Sequence, residues 1–292
     1  MTTTEVLPYL LAEVEAVEVE RISPSFVRVV LAGPELAGYG VDGPRYDQRI
    51  KLVFGEGGPM RTYTIADVLG EGEETRLVVD IVVHEDGLAG PGGSWGLAAR
   101  PGDRVIVPVP RRGVPFGGIE YDAPADTRRV LLVGDETALP AIASILTDVA
   151  PQTRGHVFVE VPEALDIRDL VAPAGVELCW LARGHGDPGS RLVPAVRAHL
   201  GLKAGLEPGE WADPAEVDPD LWETPTYSSS GATLEADQVG DDGHDLDGLY
   251  AWIAGESRMV TTLRRALVDE LAVERARVAF MGYWRQGVAM RS

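Results

Sequence analysis

Four short stretches hold the residue types that could do chemistry. In Arg61-Thr62-Tyr63-Thr64 a strand would put Arg61 and Tyr63 on one face and Thr62 and Thr64 on the other. A guanidinium beside a phenol can grip a phosphate while the ring lies against an aromatic cofactor. In Asp80-Ile81-Val82-Val83-His84, a strand would set Asp80, Val82 and His84 opposite an apolar face of Leu77, Val79, Ile81 and Val83. That polar face is either a binding wall or a solvent face. Gly90-Pro91-Gly92-Gly93-Ser94-Trp95 follows as a glycine-rich turn opening a helix, whose free N–H groups suit an anion, although such turns also occur simply as turns. Finally, Gly134-Asp135-Glu136-Thr137-Ala138-Leu139-Pro140 and Ala254-Gly255-Glu256 each join a strand to a helix. In open α/β sheets that is where ligands bind. Neither stretch is a G-x-G-x-x-G or Walker sequence, and Asp135 and Glu136 would repel a pyrophosphate, so strong dinucleotide binding is not expected there.

Other candidates are weaker. His156 starts a strand, His185 lies in a Gly/Pro loop, His199 nears a helix end, and His244 sits among aspartates without calcium-loop spacing. No Ser-His-Asp set can be assembled. The single cysteine, Cys179, excludes an intrachain disulfide, a thiolate zinc site and an iron–sulfur cluster. No metal site is expected.

The elements that must position these residues change character along the chain. Residues 12–122 alternate apolar and polar positions in six runs, at 12–22, 25–31, 49–54, 61–66, 75–84 and 104–109. Gly, Pro and Asp clusters separate them, the pattern of an antiparallel barrel or sandwich. A short helix is expected at 94–100. From about residue 125, strands (128–135, 156–161, 176–182, 250–255, 278–284) alternate with helices (137–150, 162–170, 190–200, 256–272), which predicts a parallel α/β domain. The expected domains are 1–124 and 125–292. Between them in character, 201–248 holds thirteen acidic residues against one lysine, with four prolines and three consecutive serines. A flexible acidic insertion is expected there.

The chain has 292 residues, 45% apolar and 25% charged, with a formal charge of −20. That length is room for two domains at roughly 100–200 residues each. The charge argues against nucleic-acid and anionic-membrane partners, which need a basic surface. The N-terminus lacks a basic region, and no apolar run nears the ~18 residues of a membrane span. A cytoplasmic protein is expected.

Taken together, RTYT (61–64), DIVVH (80–84), GPGGSW (90–95), PGDRV (101–105), GDETALP (134–140), AGE (254–256) and GYWRQG (282–287) appear in an order that resembles the siderophore-interacting proteins. These are the FAD-dependent ferric-siderophore reductases of the ferredoxin-reductase superfamily, and the resemblance covers almost the whole chain apart from 201–248. It implies a six-stranded FAD-binding barrel followed by a nicotinamide-binding-type α/β domain. Arg61, Tyr63 and Thr64 would line the flavin, with Asp80, Val82 and His84 continuing that wall. Gly92, Gly93, Ser94 and Trp95 would meet the diphosphate, and Thr137 and Trp284 would lie near the cofactor. Gly134, Thr137, Pro140, Gly255 and Glu256 would face the electron donor, NADPH or NADH, or else a small ferredoxin-type protein. Arg183 could pair with a 2′-phosphate. Lys51, assisted by Arg49, would attract an anionic ferric siderophore. No catalytic residue beyond the flavin is implied, because the cofactor carries the hard step.

The chain departs from the family pattern where Asp67 stands for a second arginine after R-x-Y-T, where Glu85 follows the histidine, and where Ser94 precedes Trp95. Each change makes a diphosphate site more negative. Two other functions remain open: a general flavin-dependent NAD(P)H:acceptor reductase, and a non-catalytic protein that holds flavin or siderophore.

Overall fold

The structure, a computed structural model, describes residues 6–55, 57–83, 90–206, 211–213, 217, 221–225, 227–228 and 246–288. The chain divides into two compact units, residues to Ile119 with Ala143–Asp148 in one, and Glu120–Ile142 with Val149–Arg291 in the other. No described helix is long and apolar enough to cross a membrane.

The first unit is a curled antiparallel sheet. Its strands are β1 (Tyr9–Ser23), β2 (Phe26–Ala32), β3 (Arg49–Val53), β4 (Met60–Thr64), β5 (Asp67–Leu69), β6 (Arg76–Val82) and, after helix α1 (Pro91–Ala98), β7 (Arg104–Pro110). The spatial order is β4-β3-β7-β1-β2-β6-β5. Strict alternation fixes the register of β1: Ala12, Val14 and Ala16 are buried, and the glutamates between them face out. A one-residue slip would invert that pattern and expose the whole core face. Leu77, Val79, Ile81 and Val83 fill the same core, as the alternation of that strand requires.

Seven strands form where six were expected, because the run at 61–66 does not stop at its end. It bends at Ile65 and Ala66 and continues as β5 on the far edge of the sheet, where Ala66 N–H donates to Val78 O (2.9 Å). The two edges are therefore joined through a two-residue corner, with Ile65 fully buried. Helix α1 packs against β6 and β2.

The second unit is a mainly parallel sheet. Its elements are β8 (Arg129–Gly134), the start of α2 (Leu139–Asp148, of which Ala143–Asp148 group with the first unit), β9 (Arg154–Val161), β10 (Gly175–Ala182), α3 (Leu192–His199), β11 (Trp222–Thr224), β12 (Tyr227–Ser228), β13 (Leu249–Glu256), α4 (Ser257–Arg264) and β14 (Val278–Trp284). The order β10-β9-β8-β13-β14-β11-β12 reverses direction between β8 and β13. Every residue of β13 is buried, as a central parallel strand demands.

Three expectations are corrected here. The helix expected at 162–170 is only a 3-10 turn, Ala164–Asp166. Leu165 and Val171 are largely exposed, so no neighbour rewards a helical face there. The helix expected over 256–272 is α-helical to Arg264 and then widens into a π-helical turn, Arg265–Glu270. The acidic insertion is not wholly a loop. Its β11 pairs with β14 and β12 with β11, while Ala212, Val217 and Leu221 are buried. Glu223 is held by Arg264 (2.6 Å) and Ala212 O by Arg258 Nε (2.8 Å).

Candidate functional site

In the first unit, directly paired residues of β3 and β4 share a face: Ile50 with Tyr63, Leu52 with Arg61, Lys51 with Thr62, Arg49 with Thr64. Ile50 and Leu52 belong to the core. Tyr63 and Arg61 therefore lie on the core side at the β4 edge, and Lys51 and Arg49 on the opposite face. Phe54 follows β3 and meets the Tyr63 ring edge-on at 6.4 Å and the Trp95 ring at 5.3 Å. Phe54 was not singled out in the sequence, although its parity with Ile50 and Leu52 places it on this face.

Helix α1 closes against this aromatic group through glycines. A Cβ on Gly92 would lie 1.8 Å from the Tyr63 hydroxyl, and one on Gly96 2.8 Å from Ile81 Cγ2. Burial raises the Tyr63 hydroxyl well above the usual phenol range, offset in part by Arg61, so the ring is neutral. Arg61 donates to Met60 O (2.8 Å), and its remaining donors meet no other protein group among the described residues. Gly90, the residue before α1, offers no side-chain cap, so the amides of Gly92 and Gly93 open the helix uncapped. Ser94 is exposed and its amide bonds to Gly90 O (2.9 Å). Among the described residues, an aromatic group, a guanidinium with open donors and a glycine helix start without a side-chain cap are compatible with the ring and phosphates of a flavin dinucleotide.

Other candidates in this unit are otherwise engaged. Asp80 is buried, and its carboxylate takes Arg28 across the β2–β6 pair in a two-pronged contact of 2.7 and 2.9 Å, which raises the Arg28 pKa. Val82 is half-buried and Thr64 buried. His84 lies outside the described residues, as does Glu85. Asp67 is largely exposed and accepts from Val68 N–H (2.8 Å), with Arg45 3.6 Å away.

In the second unit, one residue that the sequence reading treated only as a source of repulsion gathers three of the quoted stretches. Asp135 is fully buried at the end of β8. Its Oδ1 accepts from Thr137 N–H (2.9 Å) and Thr137 Oγ1 (2.5 Å). Its Oδ2 accepts from Glu256 N–H (2.7 Å) and the Trp284 indole (2.8 Å). Gly255, at φ +140°, passes so close that a Cβ would lie 2.6 Å from Asp135 Oδ2. GDET, AGE and GYW therefore meet on one carboxylate. The signal was Asp-x-Thr at a strand end, a local side-chain-to-backbone turn. Burial, then Glu136, raises this carboxyl to about 6, with the Thr137 hydroxyl, the Trp284 indole and the Glu256 amide holding it down. Tyr283 is stacked on Trp222 of the insertion at 5.9 Å. Gly134 and Pro140 are buried at either end of the same turn.

Arg183, expected to be open to a 2′-phosphate, is instead closed onto Glu136 through two 2.6 Å contacts, with Glu160 3.8 Å away. Burial pulls its pKa down, but these carboxylates outweigh that and raise it.

Comparisons with known proteins agree with this division. The model of the siderophore-interacting FAD-binding domain matches residues 15–59 and 55–114, and that of the siderophore-interacting protein matches 127–287. Ferric vibriobactin reductase ViuB of Vibrio cholerae is 27% identical over 285 residues, 91% of this chain and 86% of that protein. The NADPH-dependent ferric-chelate reductase of Escherichia coli K12 is 29% identical over 208 residues, 62% of this chain and 75% of that protein. A crystal structure of a siderophore utilization protein from T. fusca is 26% identical with a TM-score of 0.67, covering 98% of this chain and 97% of that one. The second family model alone spans more than half of the sequence, and the chain belongs to the siderophore-interacting protein family.

Proposed function

We propose that this protein is a ferric-siderophore reductase, taking electrons from a reduced nicotinamide nucleotide and passing them to Fe(III) held in a siderophore, which then releases Fe(II). The family and its FAD-binding domain make the chain a flavin-dependent oxidoreductase. The observation that carries the finer reading is the aromatic and cationic edge at β4 and α1, in a chain similar over 91% of its length to a protein named ferric vibriobactin reductase. A small ferredoxin-type protein is the other donor this reading admits.

Bound FAD would supply the exchange between a two-electron donor and one-electron reduction of Fe(III). The chain's own part is position and charge. The Arg61 guanidinium and the Gly92 and Gly93 amides take diphosphate oxygens. Tyr63 and Trp95 give the ring an apolar wall, with Thr64, Ser94 and Val82 at its margins. Lys51, exposed on the outer face of β3, attracts an anionic ferric chelate, with Arg49 beside it. Gly134, Thr137, Pro140, Gly255, Glu256 and Trp284 shape the donor side through Asp135.

The test begins with the visible spectrum of the purified protein and the mass of any released flavin. Stoichiometric FAD that is reduced anaerobically, then reoxidised by a ferric siderophore with Fe(II) captured by a coloured chelator, is the expected result. A protein that binds no FAD, or whose reduced flavin ignores ferric siderophores, overturns the reading. Lys51→Ala is expected to raise KM for an anionic ferric siderophore about tenfold, the scale of one charged contact, at unchanged FAD content.

A further inference from the structure

Folds of this type hold nucleotide phosphates at helix N-termini beside the carboxyl ends of their strands. Here α3 and α4 are closed by the chain's own carboxylates, and the turn that leads into α2 is closed by a carboxylate and by backbone carbonyls. Ahead of α2, Asp135 takes Thr137 N–H, while Ala138 and Leu139 N–H donate to Asp135 O and Glu136 O. At α3, Glu160 takes the N–H groups of Gly189 (2.6 Å), Arg191 (2.8 Å) and Leu192 (3.0 Å). At α4, Glu256 takes those of Arg258 (2.7 Å) and Met259 (3.0 Å), and Gln286 N–H (3.2 Å). The guanidinium at the end of β10, Arg183, is buried against Glu136. Four buried carboxylates, Asp135, Glu136, Glu160 and Glu256, thus stand at these strand ends. Of the other guanidinium groups there, Arg258 is directed to Ala212 O and the Trp211 ring, Arg285 at the end of β14 reaches Val217 O (3.4 Å), and Arg191 at the start of α3 is exposed.

We infer that this crevice selects its electron donor against phosphate, so that NADH is used in preference to NADPH. The inference rests on the reading that the donor is a nicotinamide nucleotide. A 2′-phosphate would add negative charge where the amides are already occupied and the four carboxylates are buried, while Arg191 and the other surface guanidinium groups are open to screening by solvent. Repulsion of this kind is screened by salt.

The experiment is anaerobic reduction of the FAD-loaded protein by NADH and by NADPH across ionic strength, with calorimetric binding of 5′-AMP and 2′,5′-ADP as probes. NADH is expected to show at least about tenfold higher kcat/KM at low salt. The gap should narrow between ~0.01 M and ~1 M salt, where the Debye length falls from about 30 Å to 3 Å. Glu136→Gln, which removes a charge but keeps an acceptor for Arg183, should narrow the ratio of kcat/KM for NADH over NADPH several-fold. Equal or better use of NADPH, the donor named for the Escherichia coli relative, overturns the inference, and loss of that preference in Arg191→Ala would identify the cation responsible. Should dithionite reduce the flavin while neither nucleotide does, the donor reading fails and the probes decide alone. Weaker binding of 2′,5′-ADP than of 5′-AMP supports exclusion; equal or tighter binding of 2′,5′-ADP, or binding of neither, overturns it.

Discussion

The two units treat the same elementary feature in opposite ways. Among the described residues, the start of α1 is left open: glycine precedes it, its first amides meet no side-chain cap, and Arg61 keeps donors without a partner. At α3 and α4 the corresponding amides are closed by Glu160 and Glu256, and the turn into α2 is closed by Asp135. An open helix start is a prepared anion site, while a closed one is a structural joint. The difference teaches that strand-end position in an α/β sheet does not by itself make a phosphate site. What decides is whether the chain has already supplied the anion.

The largest test of this contrast removes a joint. Glu160→Ala leaves three amides without their acceptor, and we expect a loss of about 4 kcal/mol in urea unfolding of the whole chain. A loss below about 1 kcal/mol would mean that Glu160 is not a joint.

Next comes pH. Unfolded, Asp135 ionises in the ordinary carboxylate range, and folded at about 6. Its protonated form is therefore favoured by folding. This contribution is complete below about pH 4 and is lost as the pH rises through about 6. Relative to Asp135→Asn, the wild type should lose about 3 kcal/mol between pH 4 and pH 7, at ~1.36 kcal/mol per pKa unit. A difference that does not change with pH would sink this account.

The open site is tested by Arg61→Ala. The loss of a charge-assisted contact worth about 2 kcal/mol should weaken FAD binding roughly 30-fold. The melting temperature of the FAD-free protein should hardly move, because among the described residues Arg61 reaches only Met60 O. Equal losses in both would make Arg61 structural. The smallest effect is expected for Asp67→Arg, a few-fold gain in FAD affinity measured by flavin fluorescence, since Asp67 is largely exposed and screened. No gain would show that the acidic substitution at this position is neutral.

Much of the architecture was legible because it rests on local period. The alternation of β1 and β6 and the apolar runs of β8 and β13 fix which faces are buried. The joints were not legible as such. Glu160 reads only as the last polar residue of HVFVEV, and its partners lie 29 to 32 residues on. Arg183 reads as a loop arginine, and only the fold brings it to Glu136, 47 residues away. Charge counting shows Asp135 and Glu136 only as negative charges and not that Asp135 organises Glu256 and Trp284. The separation of Lys51 from Tyr63 by the thickness of one sheet follows from the β3–β4 register, which neither strand encodes alone.

The short hairpin of β11 and β12 has a consequence for solubility. It covers the outer side of β14, an apolar strand that reads VAFMGYW. A chain shortened between 201 and 248 would bare that strand's unpaired amides and carbonyls, a template on which further copies could assemble edge to edge. The acidic segment that dominates the net charge thus also contributes the strands that keep this sheet from growing between molecules.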